Sequence, residues 1–106
     1  MNGPPPDVTG AWIHAFEEDT GEAAVYRPAD HPFRPARRPR RRIEFGADGT
    51  FTEHRPGPDD RPRPVRGHWA WQKANRIAVT FPEGRGGAPF GITVLSRTGD
   101  RLLIAK

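Results

Sequence analysis

The 106-residue sequence contains no cysteine, and it has only one methionine and one tyrosine. The absence of cysteine excludes a disulfide framework, a thiolate metal site and a thiol nucleophile. No apolar run approaches the ~20 residues of a membrane-spanning helix, and the first residues lack the basic and apolar regions of a secretion signal. We therefore expect a cytoplasmic protein with no membrane partner.

Apolar residues are also scarce, at 34% of the chain, whereas 13 prolines and 12 glycines are present. This composition predicts much turn and loop around one modest hydrophobic core. The Pro-rich start has little to bury, so residues 1–8 are predicted to form a mobile arm and residues 9–106 a single domain.

The sequence contains a series of short segments in which apolar and polar residues alternate. Trp69 and Trp71 share one face of an extended strand, and Ile77, Val79 and Phe81 repeat this spacing on the next strand, which predicts a hairpin with one apolar face. The Asp48-Gly49 pair predicts a second hairpin. Strands are predicted at residues 9–16, 23–26, 40–46, 50–55, 65–72, 77–81, 90–97 and 101–105.

These segments predict an all-β fold: a single eight-stranded antiparallel up-and-down barrel in which the last strand pairs with the first. A Greek-key sandwich stays open as the alternative, because local patterns do not encode the order of strands. Two Pro-rich stretches, at residues 27–39 and 56–64, are predicted to be loops that shape the mouth of the barrel.

The stretch Thr9-Gly10-Ala11-Trp12 on the first strand, with Arg101 at the start of the last, resembles the calycin group and above all the small bacterial lipocalin-like barrels. In that family a Gly-x-Trp motif places its tryptophan at the closed end of the barrel, where an arginine near the last strand stacks over it. The resemblance implies that Trp12 and Arg101 form this pair. It also implies one of three functions: carriage of a ligand, inhibition of an enzyme, or cyclisation of a natural-product intermediate.

The alternation predicts an aromatic interior that binds a hydrophobic or aromatic small molecule. His14 and Glu53 share the inward parity and are candidate catalytic residues, since a histidine and a carboxylate in an apolar cavity can move a proton or orient a ligand. An inward Glu53 is expected to seek His14, Arg55 or Tyr26 as a partner. The predicted ligand-binding residues are Trp12, Phe16, Tyr26, Phe45, Phe51, Trp69, Trp71 and Phe81.

Six arginines lie between Arg34 and Arg42 with no acidic residue among them, and they exceed the net charge of +4. Such a run is typical of a nucleic-acid or phosphate site. It has little aromatic interleaving, and the acidic segment before it offers intramolecular partners, so a nucleic-acid partner is not favoured. At the mouth of a pocket the same arginines could instead meet an anionic ligand.

The four histidines show no metal-binding spacing, so we expect neither a metal nor a cofactor. The sole serine, Ser96, lies in a strand pattern, which argues against serine-hydrolase chemistry. Two alternatives to ligand binding remain open. One is a small barrel enzyme, a cyclase or isomerase that uses His14 and Glu53, and the other is a protein-binding or inhibitor module that inserts residues 1–8 into a partner. The oligomeric state also stays open, a homodimer included.

Overall fold

A computed structural model describes residues 6–56, 62–82 and 87–106. It contains eight β-strands and one turn of 3-10 helix at Phe16–Glu18. In chain order, the strands are β1 Gly10–His14, β2 Ala23–Pro28, β3 Arg42–Phe45, β4 Thr50–Pro56, β5 Pro62–Lys73, β6 Arg76–Thr80, β7 Phe90–Thr98 and β8 Arg101–Ala105.

The strands form a closed antiparallel barrel in the order β1-β2-β8-β7-β6-β5-β4-β3, which confirms the predicted fold class. One prediction about pairing is wrong, because β8 pairs with β2 and β1 lies between β2 and β3. The chain leaves β2 beside Ala11 and reaches β3 beside His14, where the His14 N–H bonds to the Arg41 carbonyl at 2.8 Å. Residues 29–41, the crossover loop, therefore pass across β1.

The predicted alternation places the apolar core correctly. Ile43, Phe51, Ile77, Val79 and Leu102 have no exposed surface, so their side chains fill the middle of the barrel. Packed side chains can fill a barrel of this size on their own. The burial of these residues removes enough apolar surface from water to be the main force that stabilises the fold.

Local differences from the sequence prediction lie at the ends of strands. β5 begins at Pro62, and its first residues pair with β4 as far as Pro56, so part of the predicted loop at residues 56–64 is strand. Residues 57–61 of that loop, and residues 83–86 before β7, lie outside the described residues. Phe16, predicted on β1, belongs to the 3-10 turn that follows it.

One end of the barrel, here the tryptophan end, is closed by Trp12. Its indole N–H donates to the Val8 carbonyl at 2.9 Å, and Val8 itself is buried although it belongs to the predicted arm. Residues 1–5 of that arm are not described. The guanidinium over Trp12 belongs to Arg97, with 5.5 Å from its carbon to the ring centre, whereas Arg101 pairs with Glu18 at 3.3 Å. The expected Trp12–Arg101 pair is therefore wrong.

A β-bulge in β7 explains this correction. The pairing with β8 shifts between Val94 and Ser96, so that Arg97 lies opposite the buried Leu102 and shares its face. Without the bulge, Ser96 would continue the inward alternation of Val94. Among the helices formed by residues 6–56, 62–82 and 87–106, none has the length and apolar character needed to cross a membrane.

Candidate functional site at the arginine end of the barrel

The opposite end of the barrel, here the arginine end, is spanned by the Arg41 side chain. Its Nε donates to the Glu53 carboxylate on β4 at 2.6 Å, and its Nη1 approaches the Tyr26 hydroxyl on β2 at 3.5 Å. Its guanidinium carbon also lies 6.0 Å from the centre of the Phe90 ring on β7. Arg41 thus connects three strands, and it is the residue that the crossover loop delivers to the barrel.

Glu53 is the buried acidic residue of this end, with 8% of its surface exposed. Its second oxygen accepts a hydrogen bond from Arg55 Nε at 2.8 Å, which confirms Arg55 as one of its expected partners. Burial raises the pKa of Glu53, but the hydrogen bonds and charges of Arg55 and Arg41 outweigh this and hold it below its ordinary value. Glu53 is therefore an ionised carboxylate between two guanidinium groups.

His14 lies on the other side of Tyr26 and has a different partner. Its Nε2 is 3.0 Å from the Asp19 carboxylate, and its ring stacks on Tyr26 with 4.9 Å between centres. Burial raises the pKa of the Tyr26 hydroxyl despite the nearby charge of Arg41, so this hydroxyl stays neutral. In the described structure His14 and Glu53 share no hydrogen bond. Tyr26 and Arg41 lie between them, so the geometry does not form the expected proton-transfer pair.

A pocket of about 880 Å³ opens where the crossover loop meets the ends of β1, β3 and β4. This volume lies in the range of about 300–1,000 Å³ that is typical of small-molecule sites. Ile13 and Phe33 give it apolar surface, and Glu53 is the one carboxylate that the described residues contribute to it. Its basic side chains, among the described residues, are His54 and six arginines: Arg37, Arg38, Arg40, Arg41, Arg42 and Arg55.

Guanidinium groups of the crossover loop stack on two aromatic rings. The Arg38 and Arg40 carbons lie 3.9 Å and 4.5 Å from the centre of the Phe16 ring, and Arg40 also lies 4.7 Å from the centre of the Phe33 ring. Contacts of this kind contribute about 0.5–1 kcal/mol at exposed sites. They order a loop that contains no regular secondary structure.

The loop arginines differ in how their charge is balanced. Arg40 binds Glu17 through two hydrogen bonds, which, together with a backbone hydrogen bond, lower the pKa of that carboxyl to about 2. Arg42 pairs with Glu44 at 3.1 Å. Arg37 and Arg38, in contrast, have no carboxylate partner among the described residues, and both are exposed.

The wall formed by β3 and β4 also contains unsatisfied buried polar atoms. Arg42 Nε and His54 Nε2 are buried and have no hydrogen-bond partner in the described part of the chain. His54 Nε2 lies 3.7 Å from the Glu44 carboxylate, a distance too long for a hydrogen bond. Unsatisfied polar atoms of this kind are uncommon in folded proteins, and the Arg42 Nε is a buried donor without an acceptor among the described residues.

The aromatic residues of the interior form one continuous cluster that ends under the arginines. Neighbouring ring centres lie 5.3–6.4 Å apart along the series Trp71, Trp69, Phe45, Phe51, Phe81 and Phe90. The Arg55 guanidinium lies 5.6 Å from the Phe81 centre, on the same end as Arg41 and Phe90. A closed barrel with such an aromatic cluster is compatible with the binding of a small molecule.

The sequence-predicted site residues are therefore divided between the two ends. Tyr26, Phe81, His14 and Glu53 lie at the arginine end, and Phe16 lies under the crossover loop. Trp69 lies next to Trp71 near the other end of the aromatic series, and its indole N–H donates to the Gly46 carbonyl at 2.9 Å. Phe45 and Phe51 belong to the buried core, and Trp71 packs against it. Trp12 closes the tryptophan end.

Arg41 is the residue of this site that sequence reasoning missed. A signal for it was present in the sequence, because Arg41 has the same strand parity as Phe45, which was predicted to line the interior, and as the buried Ile43. Its membership of a basic run suggested a solvated side chain instead.

Among the described residues, no three histidine or acidic side chains come together as a metal-binding group. Comparison of the chain with protein-family models, with curated proteins and with solved structures finds no match.

Proposed function

We propose that this protein binds a small molecule in the pocket at the arginine end of the barrel, and that this ligand combines a hydrophobic or aromatic body with an anionic group. The observation that carries this proposal is the lining of the pocket, in which, among the residues that the structure describes, six arginines face one carboxylate beside apolar surface. Guanidinium groups bind carboxylates, sulfonates and phosphates through charge-assisted hydrogen bonds, which are stronger than hydrogen bonds between neutral groups.

The apolar body of the ligand would lie against Ile13 and Phe33, with Phe16 and its stacked arginines alongside. The middle of the barrel does not serve this purpose in our proposal. Phe51 and Ile43 have no exposed surface there, and a ligand would have to displace packed side chains. The aromatic interior instead packs beneath Arg41 and Arg55, whose guanidinium groups lie over the rings of Phe90 and Phe81.

The proposal is tested with anilinonaphthalene sulfonate, a fluorescent dye that combines aromatic rings with one negative charge. We expect saturable binding to the native protein, and displacement of the dye by naphthalene carboxylate but not by the neutral naphthalene carboxamide. Arg38→Gln should weaken binding about five- to tenfold, because one charge-assisted contact to a partly solvated ligand is worth roughly 1 kcal/mol.

The matched control is Arg101→Gln, which removes the same charge from an exposed arginine at the tryptophan end. This variant should bind the dye within twofold of the original protein. Equal losses in both variants would indicate a general effect of net charge and would contradict a site in the pocket, as would equal displacement by the carboxylate and the carboxamide.

A further inference from the structure

The charge of the pocket indicates which kind of anion it accepts. We infer that the ligand carries a phosphate monoester, a group with close to two negative charges, and that Arg37 and Arg38 together hold it. This inference rests on the proposed function, since it names the chemical class of the anion that the pocket binds.

The first step is the balance of charge. Arg40 and Arg42 are each neutralised by a glutamate, and Arg41 shares Glu53 with Arg55. Arg37 and Arg38 have no carboxylate partner among the described residues, so the described lining keeps at least these two uncompensated positive charges. A monoanion would leave one of these two charges uncompensated, whereas a phosphate monoester carries about −1.5 to −2 at neutral pH.

The second step is geometry. Arg37 and Arg38 are adjacent in the loop, and both line the same pocket. Arg38 is held by its stacking on Phe16, at 3.9 Å from the ring centre, so less side-chain freedom is lost when it binds an anion. A phosphate group presents three terminal oxygens and can accept hydrogen bonds from two guanidinium groups at once.

The third step is the wall beside these arginines. Arg42 lines the pocket, and its Nε lacks an acceptor. The Arg42 side chain is 41% exposed although its Nε is buried, so a change of side-chain rotamer is needed to bring this group to a ligand. A phosphate has an oxygen left over after it has engaged Arg37 and Arg38, and that oxygen can fill this role. A carboxylate, with two oxygens, has none to spare.

The test compares naphthyl phosphate with naphthyl sulfate, which has nearly the same shape but carries a single negative charge. Isothermal titration calorimetry at pH 7.5 measures both ligands on the full chain and on its Arg37→Gln and Arg101→Gln variants. We expect the phosphate to bind about tenfold more tightly than the sulfate, which corresponds to about 1.4 kcal/mol. Arg37→Gln should remove most of this preference, and Arg101→Gln should keep it.

The outcomes separate this inference from the proposed function. Equal affinity for phosphate and sulfate, or a preference that survives in Arg37→Gln, would overturn the inference and leave an anion-binding pocket. Failure of both ligands to bind would overturn the proposed function as well. Inorganic phosphate is the third arm, and we expect it to bind more weakly than naphthyl phosphate. If it bound equally well, the apolar body of the proposed ligand would be contradicted.

Discussion

Replacement of Glu53 by glutamine tests the polar network at the arginine end. This change keeps the shape of the side chain but removes the charge that Arg41 and Arg55 share. Loss of one partner from a buried ion pair costs roughly 3–5 kcal/mol. Because the arginine side chains are 37% and 39% exposed, solvent screens part of this cost. We therefore expect Glu53→Gln to lower the free energy of unfolding at pH 7 by about 2–3 kcal/mol.

The pH dependence of this loss follows from the pKa of Glu53, which folding holds below the ordinary value of 4.5. The ionised carboxylate stabilises the folded protein above that value, and the stabilisation disappears as the pH falls through the lowered pKa. The difference between the original protein and the variant should thus be largest at neutral pH and should shrink toward pH 3.

The assay is urea unfolding followed by the fluorescence of the three tryptophans, carried out at pH 7 and near pH 3. The control is Glu44→Gln, which removes the exposed partner of Arg42 and should cost less than about 1 kcal/mol. Equal losses in the two variants, or a Glu53→Gln loss that does not change with pH, would refute this account of the network.

Two further predictions concern packing, and thermal unfolding monitored by circular dichroism checks both. Gly67→Ala should lower the free energy of unfolding by about 2 kcal/mol, because a Cβ atom at this position would collide with the Thr80 carbonyl oxygen. The control Gly21→Ala should change it little, because no atom lies within 4 Å of the added Cβ. Similar melting temperatures for the two variants would contradict the close approach of β5 and β6. Leu102→Ala should lower the free energy of unfolding by about 3 kcal/mol because Leu102 is fully buried. The control Leu95→Ala should lower it by less than about 0.5 kcal/mol because this side chain is 49% exposed. A larger loss in Leu95→Ala than in Leu102→Ala would contradict the position of the core.

Much of the barrel could be predicted because a half-buried strand imposes its own alternation on the sequence. Ile43 and Phe45, followed by the Asp48-Gly49 turn, specify a hairpin from local information alone, and the structure pairs Phe45 with Phe51 accordingly. Gly49 has φ = +89°, a backbone conformation that the turn requires and that glycine adopts without strain.

The order of the strands could not be predicted in the same way. Nothing in the sequence of β1 states whether its second neighbour is β3 or β8, because both present an alternating apolar face. The crossover loop decides this, and its prolines indicate only that regular structure ends there. The long stretch without regular structure lets the chain cross β1 and deliver Arg41 to the end of the barrel.

The arginine over Trp12 was missed for a different reason. Counting alternate residues along β7 from Ile92 and Val94 leads to Ser96 as the inward residue. The bulge after Val94 adds one residue and turns Arg97 inward instead. A single inserted residue thus reverses the parity beyond it, and sequence alternation contains no marker of where this happens.

The measurement that tests the central claim most directly is a titration of the isotope-labelled protein with naphthyl phosphate, followed by two-dimensional NMR of its amide and indole N–H groups. Binding at the arginine end predicts progressive shifts at Arg38, Arg41 and Glu53, with the indole signal of Trp69 unchanged. Shifts centred on Trp69, with the crossover loop unaffected, would place the ligand inside the aromatic core and would contradict the account.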